Sequence, residues 1–161
     1  KKFGKASVLG AVTGMVAGLG TITPASGFVG PGGALIIGVS AGIICFYSTV
    51  YIKQKLKIDD SLDVFPVHGI GGILGTLLAG VFASTELGAF SGFGYAEGIT
   101  TMLGQVTVQL IGIGSTILYT AVVSYILFKI VSVMTKGLRV SKEQETTGLD
   151  LTEHDEVGYN M

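Results

Sequence analysis

VFPVHGIGGILGTLLAGVFAST, residues 64–85, is an apolar run with one ionisable side chain, His68. A helix needs about 20 mostly apolar residues to cross the hydrocarbon core of a bilayer. A run of this length is therefore read as a membrane span, with the imidazole of His68 inside it. Polar side chains are costly at that depth, and one that is kept faces a cavity or bundle interior and handles protons or ions. His68 is the first candidate functional residue on that ground. The alternative is a neutral core histidine bonded to a carbonyl or hydroxyl.

The rest of the chain fits the same setting. Hydrophobic residues make up 48% of it and charged ones 13%, and residues 6–52 carry no charge at all, which no soluble core of this size needs. The composition predicts an all-α membrane protein, a polytopic transmembrane helical bundle. Thr23-Pro24 and Gly30-Pro31-Gly32-Gly33 break the uncharged stretch, giving spans near 6–22 and 34–52. A third span covers 64–83 and a fourth 98–134, long enough to tilt or to project past the lipid. Residues 1–135 thus form a transmembrane region. Residues 136–161 are polar, lack helical apolar periodicity and read as a cytosolic C-terminal tail.

All ten Lys and Arg residues precede the first span, lie between the second and third, or close the fourth. Neither of the opposite loops, 21–33 and 84–97, has any. The positive-inside rule then places both ends in the cytoplasm of a multi-pass cell-membrane protein. The chain opens Lys-Lys-Phe-Gly-Lys, and the apolar stretch behind it is too long for the h-region of a signal peptide. It reads as a fragment of something longer.

Several chemistries are excluded. A net charge of −1 does not make the basic face that nucleic acid requires. Cys45 is the single cysteine, so there is no disulfide framework, and it reads as a core residue. No Cys/His spacing suits zinc, no second membrane histidine suits bis-His haem, and no serine has a plausible base. The reading is not an enzyme, with neither cofactor nor metal. The Gly30–Gly33 loop lacks the Lys-Ser/Thr of a phosphate loop, and His154, in the polar tail, reads as a surface residue.

The third span opens Asp59-Asp60-Ser61-Leu62-Asp63. An Asp cap followed by an acidic first turn satisfies free amides and suits the helix dipole, so Asp60 and Asp63 read equally as helix caps or as functional acids. Asp60, Val64, His68 and Gly72 are four apart and share one slowly drifting helical face. A carboxylate at the mouth, then an apolar side chain, an imidazole and a glycine gap would suit a narrow hydrophobic conduit. Neutral imidazole can accept a proton on one nitrogen while donating from the other. Pro66, about one turn in, could kink the helix and free a carbonyl. Glycines recur at helical spacing in three spans, as Gly10, Gly14 and Gly18, Gly38 and Gly42, and Gly71 and Gly75. Small residues four apart let helix backbones approach, so these read as packing positions, with Gly69 and Gly72 giving access beside His68.

The string Thr23-Pro24-Ala25-Ser26-Gly27-Phe28, with Gly32-Gly33-Ala34 after it, resembles the Thr-Pro-Ala-Cys-Gly signature of the ammonium transporter family, related to the Mep and Rhesus proteins. Asp59-Asp60, Asp63-Val64-Phe65 and Val67-His68-Gly69 resemble that family's second histidine segment. Gly94-Tyr95-Ala96-Glu97-Gly98 and the tail strings Gly137-Leu138-Arg139-Val140 and Gly148-Leu149-Asp150 match as well. Ser26 stands where the family usually has cysteine, a mild departure. The resemblance covers the whole chain, but only the last four helices and tail of an eleven-helix ammonium transporter fold.

That resemblance implies ammonium or ammonia transport through a hydrophobic pore with a midplane histidine pair, of which His68 is the second member. Val64 and Val16 would line the pore, and Asp60 would mirror a structural acid near the first histidine. It implies a homotrimer, with the missing N-terminal half supplying the other histidine and the outer cation site. The tail, with Gly137, Arg139, Gly148 and Asp150, would be regulatory and contact a PII-type signalling protein. Thr152 would take the position of a phosphorylated threonine in plant relatives. A competing reading is an ammonium sensor that signals through the tail. A third is a structural piece: with a single membrane histidine, four spans alone should not conduct.

Overall fold

A computed structural model describes residues 8–88 and 91–157. They divide into two compact units, residues 1–115 and 116–161, described in turn. The first opens with α1 (Val8–Ile22), which ends in a 3₁₀ turn over Thr23–Ala25. The expected first span starts at residue 6, outside the described residues. α2 follows (Pro31–Val50). It starts three residues earlier than the expected span because Pro31 begins the helix instead of breaking it: at the first helical position the missing N–H is needed by no intrahelical bond. α2 then widens into a π turn, Tyr51–Leu56, with Lys53 and Lys55 in its last turn and the left-handed Lys57 closing it at φ 54.

The third span begins as a second π turn, Phe65–Ile70, and continues as α3 (Gly71–Phe82). α4 (Met102–Met134) starts four residues later than the expected fourth span. The delay has a local cause. Gly98 is left-handed at φ 78, the Ile99 N–H donates back to the Ala96 carbonyl at 3.0 Å, and the Thr101 hydroxyl accepts from the Gly104 N–H at 3.1 Å. Thr101 is thus a side-chain cap of the kind that fixes a helix start. Among the described residues, three helices are long and apolar enough to cross a membrane, Pro31–Leu56, Phe65–Phe82 and Met102–Met134.

α1, α2 and α3 pack on one another through small side chains. Ala17, Cys45 and Val67 form one buried cluster, and Ala25, Ile37 and Ala79 form another, with Ile22, Val29, Leu78 and Phe82 against it. The closest approach is at α3. A Cβ on Gly75 would lie 1.8 Å from the Thr21 carbonyl oxygen, and one on Gly71 would lie 2.7 Å from the Thr21 hydroxyl. Backbones so near require glycine, the arrangement that small residues permit in membrane bundles. The matching glycines of the other helices behave differently: a Cβ on Gly14, Gly18, Gly38 or Gly42 would meet nothing within 4 Å.

The two loops without Lys or Arg lie together. The Ser84 N–H donates to the Phe28 carbonyl at 2.9 Å, the Phe93 N–H to the Gly27 carbonyl at 3.2 Å, and the Phe28 and Phe93 rings are 5.3 Å apart. Gln105, buried on the first turn of α4, accepts from the Ala96 N–H at 2.8 Å and holds the Gly94–Gly98 loop to the helix.

The second unit holds the rest of α4 and the tail. The tail has more order than its lack of apolar periodicity predicts, forming α5 (Lys142–Thr147) and α6 (Leu149–Glu153). Both are too short to show a periodic stripe. Polar contacts shape them instead: the Ser141 hydroxyl accepts from the Gln144 N–H at 3.3 Å and Gln144 Oε1 accepts from the Ser141 N–H at 2.8 Å, a reciprocal capping box.

Candidate functional site

The entry to the third span is built by two carboxylates with different tasks. Asp60 Oδ1 accepts from the Val64 N–H and Asp60 Oδ2 from the Phe65 N–H, each at 2.9 Å. Those amides have no intrahelical partner, so the carboxylate satisfies them where the helix dipole also favours negative charge. Asp60 does this from the turn ahead of the helix and so does not lie on the helical face with Val64 and His68. Asp63 is left-handed at φ 56. Its carbonyl accepts from the Val67 N–H at 3.0 Å, the first bond of the turn that carries His68. Its carboxylate pairs with the Lys53 ammonium at 2.8 Å.

His68 sits inside the π turn Phe65–Ile70. Such turns carry one residue more than an α-helical turn and recur at functional sites. Pro66 and Val67 point inward and are buried, whereas His68 is exposed. Val64 is 52% exposed and Val16 on α1 is 40% exposed. On α1, a Cβ on Gly20 would lie 3.8 Å from His68 Nδ1. Val16 stands one turn before Gly20 on α1, as Val64 stands one turn before His68. This exposed face is apolar apart from the imidazole, and it can offer a nitrogen to a proton beside an uncharged wall.

A cavity of about 340 Å³ lies on another face of the same entry, lined by residues including Gly14, Thr13, Cys45, Thr49, Asp63 and Val67. It does not include His68, Val64 or Val16. Among the described residues no group of three or more His, Cys, Asp or Glu could hold a metal.

In the tail, Arg139 donates from Nε and Nη2 to the two oxygens of Glu145, the second bond at 3.0 Å. This fork holds the Glu145 carboxyl below its ordinary range. Gly137 and Gly148 take positive φ, 148 and 109, and a Cβ on Gly148 would lie 2.7 Å from Asp150 Oδ1. Thr152 is exposed and its hydroxyl donates to the Gly148 carbonyl at 3.1 Å. Gly148, Asp150 and Thr152 thus meet at the junction between α5 and α6, Arg139 reaches α5 through Glu145, and Gly137 lies just past the end of α4, its N–H donating to the Ser132 carbonyl.

Gly20, Thr21 and Lys53 were not singled out in the sequence. Gly20 carried the better signal, standing four residues after Val16. Lys53 was legible only as one of three similar lysines.

The ammonium transporter family profile matches residues 1–159. The chain is 44% identical over 158 residues to an ammonium transporter of Archaeoglobus fulgidus, covering 97% of this chain and 38% of that one. It is 40% identical over 155 residues to an ammonium transporter of Bacillus subtilis, covering 96% and 37%. Among solved structures, a sensor Amt protein superposes with a TM-score of 0.79 at 30% identity over 92% of this chain and 35% of that one. Mep2 of Saccharomyces cerevisiae superposes with a TM-score of 0.71 at 35% identity over 86% and 31%. The chain therefore spans under two fifths of the length of the curated relatives it matches. Kinship and apolar helices together make it a multi-pass membrane protein, and not an enzyme. It belongs to the ammonium transporter family.

Proposed function

We propose that this chain is part of a cell-membrane ammonium transporter, in which His68 is one of two midplane histidines that relay a proton while ammonia crosses a hydrophobic pore. The observation that carries this reading is the face itself: an exposed imidazole one turn beyond exposed Val64, on an apolar span, beside Gly20 of α1, which follows exposed Val16 by one turn. Moving a bare cation through such a wall costs on the order of tens of kcal/mol. Splitting ammonium into ammonia and a relayed proton avoids that cost. In this reading the remaining half of the transporter supplies the second histidine and covers the open face, and the assembly is a homotrimer. Asp60 and Asp63 fix the start of the pore helix on the cytoplasmic side. The tail, through Gly137, Arg139, Gly148, Asp150 and Thr152, is a cytoplasmic regulatory element that meets a PII-type protein.

The test is His68→Ala in the full-length polypeptide reconstituted into proteoliposomes. Ammonium-evoked current should fall by about 100-fold, at the lower end of what a positioned proton-transfer group contributes. Unchanged charge movement and selectivity would remove the relay. One observation favours a second reading: a structure similar over 92% of the chain is described as a sensor. A sensor would bind ammonium and signal through the tail with transport incidental, so deleting residues 136–161 would abolish signalling and leave binding intact.

A further inference from the structure

The turn that carries His68 is held at both ends, and one of the ties comes from a residue of another helix. A π turn is an α-helix with one extra residue. Unless its ends are fixed, that residue can be expelled or passed along, turning each side chain it carries by about 100°. Downstream, Gly71 and Gly75 lock the helix against Thr21, where no Cβ fits. Upstream, Asp60 takes the Val64 and Phe65 amides and the Asp63 carbonyl takes the Val67 amide. Asp63 does so in a left-handed conformation, φ 56, which aspartate tolerates better than most side chains with a Cβ. Its side chain is tied to Lys53, in the turn that ends α2. The lysine ammonium is 2.8 Å from Asp63 Oδ1, with the Ser61 carbonyl accepting a second bond at 3.4 Å. The Asp63 side chain is 17% exposed and that of Lys53 37%, so the carboxylate end of the pair is the less screened one.

We propose that Lys53 is a positioning residue for His68: by holding Asp63 against the end of α2, it fixes the origin of the π turn and so the direction in which the imidazole points. Released from Lys53, Asp63 is no longer tied to α2 and the turn loses its fixed phase. The inference rests on the reading of His68 as a proton relay.

The experiment measures ammonium-evoked current against pH in proteoliposomes holding the full-length polypeptide. Lys53→Met should lower the current by about 10-fold or more, as small misplacements of a reacting group do, and should displace the pH profile. Lys53→Arg should keep both, and the charge swap Lys53→Asp with Asp63→Lys should recover part of the current. Lys55→Met removes the same charge from the same turn without touching Asp63 and should match the parent protein. A Lys53→Met protein with parental current and pH profile overturns the proposal. So does a loss of current that leaves the pH profile in place and is not rescued by Lys53→Arg, which marks a purely structural lysine. If Lys53→Met fails to assemble, Asp63→Asn carries the same expectations. His68→Ala separates the two levels: parental current there removes the relay reading itself, whereas an impaired His68→Ala beside an unaffected Lys53→Met removes only the role of Lys53.

Discussion

The third span shows two faces made with the same residue type and opposite consequences. On one, Gly71 and Gly75 press against Thr21 of α1, so close that a methyl group at either would overlap it. On the other, Val64 and His68 are exposed, and a Cβ on Gly72 would meet nothing within 4 Å. The closed face finds its complement within this chain. The open one presents an ionisable side chain with an apolar neighbour, which on the proposed reading suits a surface completed by another part of a transporter. Glycine spacing alone does not distinguish the two. What lies opposite each glycine does.

The largest expected effect attacks the closed face. Gly75→Ala places a methyl group 1.8 Å from the Thr21 carbonyl oxygen, and backbone cannot rotate away as a side chain can. The cost should be about 3 kcal/mol or more, the upper end for overpacking, read as loss of the folded peak and a lowered melting midpoint in detergent. Parental stability would mean that α1 and α3 do not meet as described, and the contrast between faces would fail. Gly71→Ala is a milder version, because its obstacle is the Thr21 hydroxyl at 2.7 Å. A loss of about 1–2 kcal/mol is expected. Thr21→Ala in the same protein should restore most of it, since residues in contact couple and distant ones add.

Much of this was legible in the sequence, and the residues that were not have physical reasons. The apolar runs mark the helices to within a few residues; the starts differ by three residues at Pro31, as a proline starts a helix as readily as it ends one, and by four at Met102, where Gly98 and the Thr101 cap delay α4. The π turns were hidden because apolar periodicity does not register a single added residue. Asp60 and Asp63 read as one acidic cap, and their division of labour comes from the left-handed backbone at Asp63 and from Lys53, ten residues upstream. The glycines of α1, α2 and α3 share a spacing, yet Gly75 meets the Thr21 backbone and Gly71 its hydroxyl, whereas Gly14, Gly18, Gly38 and Gly42 meet nothing within 4 Å. The tail helices were missed although Ser141-Lys142-Glu143-Gln144 spells a capping box, because six- and five-residue helices show no apolar stripe. His68 itself was plain at once, since an ionisable residue within a long apolar run stands out without any fold.

The smallest expected effect on stability concerns the open face and is the more revealing for it. Gly72 is helical and unobstructed, so Gly72→Ala should leave the melting midpoint unchanged or raise stability by about 0.5–1 kcal/mol, the ordinary gain of alanine over glycine within a helix. If the face lines a pore beside His68, flux should respond where stability does not: Gly72→Leu should lower ammonium-evoked current while the midpoint stays near that of Gly72→Ala. A destabilised Gly72→Ala would give the opposite lesson. It would mean that in the complete transporter another helix packs on Gly72 as tightly as α1 packs on Gly75, so the conduit would have to pass the imidazole on its Val64 side. The pair of substitutions therefore locates the pore wall relative to His68 by separating what a side chain costs in packing from what it costs in passage.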